Sequence, residues 1–345
     1  IDPVCTPSTT NRKAHPMPLR LASLLAIVAG PALATGFQFV EIPATADMPT
    51  IEAAVWYPSD ATVPDEPNTP FGQAVAMHAP IDGTDLPLVV ISHGDGGWFG
   101  GHAALARAMA EAGMIAVALN HPGNSDGDGT APPSRWITER PRHLARVVDY
   151  IVTDWHDAGR VDAARIGAFG FSAGGHSVLA AAGAEISPDR IARHCGATPG
   201  EFVCRAGIAA DVVDAAGTFP APLPGVQAIV AAAPGFGFGF DPAQVAELDA
   251  AFQIWGAAQD ARVPHDTNIA PLAAALEAPS VALVVSGAGH FAFRPPCDPA
   301  LEQANPRVWQ IACVDPSGFD RHTFQQRFER SVVDFLSAHL SAGRS

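Results

Sequence analysis

A single α/β domain, built on a mostly parallel sheet of about eight strands flanked by helices, is the fold class this sequence predicts. Three observations lead there. The chain has 345 residues, 48% of them hydrophobic and 16% charged, which is enough to bury one large core. Short runs that are apolar throughout recur along it, as expected of strands covered on both faces. Between them, apolar residues fall at helical spacing, so strands and helices alternate in the order that crossover connections require. Gly and Pro number 32 each but follow no strict period, which excludes collagen-like and low-complexity readings. A net charge of -15 argues against nucleic acid or an anionic membrane as partner.

The elements can be read in order. Phe37–Ile42 and Ile51–Tyr57 are the first strands, the second bounded by Pro58. Leu86–Ser92 and Met114–Leu119 are apolar throughout and end in His93-Gly94-Asp95-Gly96-Gly97 and Asn120-His121-Pro122-Gly123. Arg165–Phe169, Val226–Ala232, Phe252–Trp255 and Val281–Ser286 continue the series. Leu144, Val147, Val148, Ile151, Val152 and Trp155 form one apolar helical stripe, and Phe324, Phe328, Val332, Phe335, Leu336 and Leu340 form another. Ala103–Ala112 and Ala173–Ala184 are small-residue helices suited to close packing on a sheet. Residues 185–224 break the rhythm and are expected to be a lid-like insertion over the strands' C-terminal edge.

The N-terminal segment reads differently. Met17 precedes Pro18-Leu19-Arg20, the apolar run Leu21–Ala29 and an Ala32-Leu33-Ala34 cleavage signal, the layout of an export signal too short to span a membrane. Residues 1–34 are therefore expected to be leader, with the folded domain at 35–345 and the protein secreted or periplasmic. In an exported protein the four cysteines beyond the leader, Cys195, Cys204, Cys297 and Cys313, suggest two disulfides. Proximity favours Cys195–Cys204 and Cys297–Cys313 among the three pairings open to them. A zinc site is the alternative, without Cys-x-x-Cys spacing to support it.

The chemistry concentrates at the ends of the strands. Gly170-Phe171-Ser172-Ala173-Gly174 is a Gly-x-Ser-x-Gly motif between a strand and an Ala-rich helix. Such an elbow needs neighbours without bulk, and it exposes the serine hydroxyl at a helix N-terminus, so Ser172 is the candidate nucleophile. His290 follows the last strand on Ser286-Gly287-Ala288-Gly289 and is the candidate base. The acid that orients an imidazole belongs on a loop between these two in chain order. Asp260, just after Phe252–Trp255, is the first choice, with Asp266 and Asp211 as alternatives. Two backbone N–H groups, of Ala173 and of Asp95 in the glycine-rich loop after Leu86–Ser92, are the candidate oxyanion donors. Trp98, His121, Trp136 and Phe291, with the aromatic run Gly235–Phe240, are candidates for a substrate pocket.

Val55-Trp56-Tyr57-Pro58, Ser92–Gly97, Asn120–Gly123, Glu139-Arg140-Pro141, Gly170–Gly175 and Gly289-His290-Phe291 form an ordered set from Ile51 to Phe293. In this set the chain resembles the platelet-activating-factor acetylhydrolase-like and dienelactone-hydrolase-like branch of the α/β-hydrolases. The resemblance implies an α/β-hydrolase domain and a cofactor-free Ser-Asp-His hydrolase acting on carboxylic esters. Dienelactone hydrolases proper carry Cys where Ser172 stands. In the eukaryotic acetylhydrolases the acid follows the strand after the nucleophile helix, a segment that Gly207–Asp211 resembles superficially. Gly289-His290-Phe291-Ala292 also resembles bacterial polyester hydrolases over four residues.

Asn124–Gly129 starts like a calcium loop, but Arg135 occupies the twelfth position, where a bidentate Glu is needed. No metal is expected, and no Gly-x-Gly-x-x-Gly follows the first strand to suggest a dinucleotide. An exported serine esterase acting on small or polymeric esters is the leading function. An amidase, peptidase or polyester hydrolase could use the same triad, and a non-catalytic binding protein on this fold is the reading from another class.

Overall fold

The computed structural model describes residues 34–215 and 222–341. The expected leader, apart from Ala34, lies outside them, as does Cys5. Among the described residues nine strands form one sheet: β1 (Ala34–Ile42), β2 (Ile51–Ser59), β3 (Ala76–Met77), β4 (Leu86–Ser92), β5 (Ile115–Leu119), β6 (Val161–Phe171), β7 (Val226–Ala232), β8 (Ala251–Ala257) and β9 (Val281–Val285). Their order across the sheet is β3-β1-β2-β5-β4-β6-β7-β8-β9. β2 is antiparallel to both β1 and β5, and every pairing from β5 through β9 is parallel.

The two faces of the sheet carry separate cores. Val55, Tyr57, Leu88 and Val90 pack on one side with α2 (Pro133–Thr153) and α3 (Ala173–Ala181). Ala54, Trp56, Val89 and Ile91 point to the other, against α1 (Ala103–Glu111) and the C-terminal helix Arg321–His339. Alternate residues of one strand thus serve opposite cores, which is why β2, β4 and β5 read as unbroken apolar runs.

The sheet of about eight strands expected has nine among the described residues, because the two-residue β3 adds to the edge beside β1 and is too short to leave a pattern. Three sequence expectations need correcting. β1 starts at Ala34, one residue inside the segment assigned to the leader. Pro58 does not end β2: the strand runs to Ser59 because its inner neighbour β5 stops at Trp56, and Asp82 donates to the Pro58 carbonyl there. Residues 185–224, read as having no clear period, contain α4 (Pro188–Ala197), α5 (Phe202–Arg205) and α6 (Ile208–Ala215). The first has a single buried residue, Ile191, and the second only four residues, so neither shows a stripe. Ser187 caps α4 by accepting from the Arg190 amide. Disulfides join Cys195 to Cys204, linking α4 to α5, and Cys297 to Cys313, linking the segment beyond His290 to the end of the helix Pro306–Ala312.

The sheet order also positions the chemistry. β4 lies between β5 and β6, so the chain departs from it toward both edges of the sheet, and a crevice opens at such a switch point. Ser92, the last residue of β4, pairs with Gly170 of β6, so the glycine-rich loop and the Gly-x-Ser-x-Gly turn emerge side by side.

Candidate active site

Ser172 sits between β6 and α3 with φ 56° and ψ −116°, a backbone conformation rare for a residue bearing a Cβ. Backbone bonds hold it there: the Ser172 amide donates to Ala232, and its carbonyl accepts from Gly235 and His176. The flanking glycines are required by space. A Cβ on Gly170 would lie 2.1 Å from the Gly174 carbonyl oxygen, and one on Gly174 would lie 2.0 Å from that of Ser92. The turn can only close, and dock on β4, without those side chains.

His290 opens a short helical turn, His290–Phe293, after β9. Its Nε2 lies 3.0 Å from Ser172 Oγ and its Nδ1 2.7 Å from Asp260 Oδ2. A carboxylate only accepts, so Nδ1 carries the proton, and Nε2 is left to accept from the serine hydroxyl. Asp260 is buried, and its other oxygen accepts from the amides of Arg262 and Val263, each at 2.8 Å. The three residues thus form one hydrogen-bonded chain drawn from three loops at the same sheet edge. Asp211 lies exposed on α6 and Asp266 exposed at the start of the helix His265–Asn268; neither bonds to His290.

The glycine-rich loop passes close over the serine, where a Cβ on Gly94 would meet Phe171 at 3.0 Å and Ser172 Cβ at 3.5 Å. Behind it lies a buried polar network that sequence reasoning did not assign. Arg140, fully buried on α2, donates to Asn124 Oδ1 at 2.7 Å, to Ser92 Oγ at 3.3 Å and to the His93 carbonyl. Asn124 in turn donates to Asp95 Oδ1 at 2.8 Å. His93 donates from Nδ1 to the Gly94 carbonyl at 2.7 Å, while its Nε2 accepts from the His121 amide. His121 Nε2 lies 2.8 Å from Ser92 Oγ, and His121 Nδ1 lies 3.3 Å from His143. Burial, reinforced by the Arg140 charge, holds His93 and His121 well below the usual imidazole range and His143 at about 3. Burial likewise lowers Arg140 to about 9. The loop is thereby braced from beneath by groups that stay neutral around one fixed cation.

This network makes stability depend on pH. Each of these histidines has a folded-state pKa below its unfolded value, so the folded state binds fewer protons. Its contribution is complete above about pH 6.5 and is lost as pH falls from there, at about 1.4 kcal/mol per pH unit for each histidine that must stay neutral. The melting temperature is accordingly expected to drop steeply below pH 6.5, and less steeply in His143→Gln. Equal slopes for both proteins in thermal melts across that range would show that His143 is not held neutral.

A cavity of about 80 Å³ opens over Ser172, lined among others by Asp95, Trp98, His102, Phe171, His290, Phe291, Arg262 and Arg294. Trp98 and Phe291 thus lie where a substrate pocket was expected. His121 and Trp136 do not: His121 is enclosed by Ser92, His93 and His143, and Trp136 is buried on the inner face of α2 beside Arg140. Phe236, Phe238 and Phe240 also belong to the core, Phe240 stacked on His176, Phe236 edge-on to it and Phe238 stacked on His194. Side chains of the calcium-like loop are engaged internally, with Asp128 accepting from the Gly123 amide and the Thr130 hydroxyl. Among the described residues no group of three or more His, Cys, Asp or Glu is placed to hold a metal ion, and no helix is long and apolar enough to cross a membrane. Arg262 and Arg294 escaped sequence reasoning, since nothing local distinguishes them from other surface arginines.

No protein-family model matches the sequence, and no curated protein does either. Among solved structures the chain is similar to a ferulic acid esterase from Streptomyces cinnamoneus, with a TM-score of 0.60 and 18% identity over 93% of this chain and 94% of that one. Likeness at that identity speaks to the fold, a mostly parallel sheet flanked by helices, shared over nearly the whole length of both proteins.

Proposed function

We propose that this protein is an exported serine hydrolase that cleaves carboxylic esters through an acyl-enzyme. The observation that carries this reading is the chain Ser172 Oγ–His290 Nε2, His290 Nδ1–Asp260 Oδ2, set on a positive-φ elbow at the N-terminus of α3. His290 accepts the serine proton as Oγ attacks the ester carbonyl, and Asp260 stabilises the imidazolium that forms. The negative charge that develops on the carbonyl oxygen is met by the amides of Ala173 and Asp95, in a loop already fixed by the Arg140 network. His290 then gives its proton to the departing alcohol, and a water repeats the cycle to release the acid. The esterase identity of the structural neighbour agrees with this chemistry, and the motif resemblance points to the acetylhydrolase-like branch. Two disulfides and the signal-like residues 1–34 support a secreted or periplasmic location.

A chain-length panel of p-nitrophenyl esters tests the proposal, with the matched anilides alongside. Esters of short acids are expected to be turned over, the rate falling as the acyl chain outgrows the small cavity, and anilides far more slowly. Faster turnover of anilides would identify an amidase, and no turnover of any member would overturn the hydrolase reading.

A further inference from the structure

We propose that the cavity over Ser172 selects esters whose acyl portion carries a carboxylate or similar anion, bound by Arg294 and Arg262. The inference rests on the ester-hydrolase reading of the same site and adds its substrate class.

Both arginines line the cavity with Ser172 and His290, and neither guanidinium makes a hydrogen bond or ion pair with another described residue. Arg262 is held by ring faces instead: its guanidinium carbon lies 4.6 Å from the ring centre of Phe202 and 5.2 Å from that of Phe291. Such stacking fixes a guanidinium while leaving its N–H edge unused, the arrangement that suits bidentate recognition of a carboxylate. Three separate parts of the site contribute. Phe202 belongs to the disulfide-clipped insertion, Phe291 follows His290, and the Arg262 amide is itself a donor to Asp260. Arg294 lies four residues beyond His290, partly buried, with the exposed Asp126 as its nearby counter-charge.

The charge around the cavity is unbalanced in a telling way. Asp95 supplies the one carboxylate of its lining, and that group is already bonded to Asn124 and faces the Arg140 charge. Two partly desolvated cations therefore share the chamber with no carboxylate bonded to either, a costly arrangement unless a ligand completes it. The molecule as a whole has a net charge of -15, so general attraction does not draw anions here; the recognition is local.

The acyl side of the ester is the side that meets Arg294, while Arg262 stands where the chamber adjoins the neighbouring groove. His290 must protonate the departing alcohol, and beyond it an open groove of about 350 Å³ runs past Arg262, Gly289, Ile311, Val314 and the ion pair of Arg321 with Asp315, giving the alcohol a way out. The acyl group stays under the glycine-rich loop, in the smaller chamber that holds Arg294. A half-ester of a short dicarboxylic acid fits this division.

Methyl butyrate and monomethyl succinate, followed by proton release, test the proposal. The wild-type kcat/KM is expected to favour the succinate half-ester by about 10- to 100-fold, the range for a hydrogen bond to a charged group. The preference should shrink as salt is raised. Arg294→Gln should bring the ratio close to one, Arg262→Gln should lower it less, and Arg294→Lys should keep part of it. Residual hydrolysis of methyl butyrate shows that a variant has folded; should Arg294→Gln fail to fold, Arg294→Lys and the salt dependence carry the test. Wild-type turnover of butyrate with no preference for succinate overturns the proposal and leaves the ester-hydrolase reading intact. Turnover of neither ester overturns both. A preference for 4-carboxyphenyl butyrate over phenyl butyrate, without the succinate preference, overturns the acyl-side assignment.

Discussion

Ser172→Ala is expected to lower ester turnover by about 10⁵- to 10⁶-fold, the cost of removing the nucleophile from a triad that acts as a unit. The fold should survive the change. Alanine keeps the Cβ that serine already places at φ 56°, so no new strain arises, and the backbone bonds to Ala232, Gly235 and His176 do not involve the hydroxyl. The side-chain bond that is lost is the one to His290. A phosphonate that reacts with activated serines should therefore label the wild type at Ser172 and leave the alanine variant unlabelled, while thermal melts of the two proteins nearly coincide. Labelling of another serine, or activity within about a hundredfold of wild type, would contradict the proposed nucleophile, because no residual route through the oxyanion donors alone is that fast.

Much of this arrangement was legible because burial on two faces leaves an unambiguous trace. β4 and β7 run between the residues expected, since every position near their C-terminal ends packs into one core or the other. β6 extends four residues further back than its apolar run, to Val161, a stretch that leaves no apolar trace because Asp162 is polar and Ala163 and Ala164 are exposed. Ser172, Asp260 and His290 could be brought to one sheet edge from the sequence, because each follows a strand and parallel strands end together. Distances could not. His121 and Trp136 looked like pocket residues, but the turn after β5 folds beneath the glycine-rich loop and α2 presents Trp136 inward. The polar side chains that brace that loop come from β4, the two loops near it and α2, and only tertiary packing reveals that Arg140, Asn124 and Asp95 form one relay. The pairing of Arg262 with Phe202 is equally invisible in sequence: 60 residues separate them, and the insertion that carries Phe202 has no periodic pattern to say where it folds.

Asp260→Asn is expected to cost about 10⁴-fold in kcat with little change in KM, a loss that follows from the hydrogen bonds around the carboxylate. One oxygen of Asp260 accepts from two backbone amides, of Arg262 and Val263, and those bonds fix the loop. In the asparagine variant only the carbonyl oxygen can keep them, so the NH₂ group is forced toward His290 Nδ1. That nitrogen must then accept, the imidazole proton moves to Nε2, and His290 offers Ser172 a donor where an acceptor is needed. The loop stays intact while the base is held in the wrong tautomer, so the variant should fold, bind substrate and fail in the chemical step. Asp260→Ala, in contrast, leaves both amides without their acceptor and should lose thermal stability as well as activity. Asp211→Asn and Asp266→Asn change exposed carboxylates that do not reach His290, and both should keep nearly full activity. Steady-state kinetics on a short p-nitrophenyl ester separate these outcomes. An Asp260→Asn enzyme within about tenfold of wild type, or a larger loss from either of the other two substitutions, would remove Asp260 from the role that its bond to His290 Nδ1 at 2.7 Å suggests.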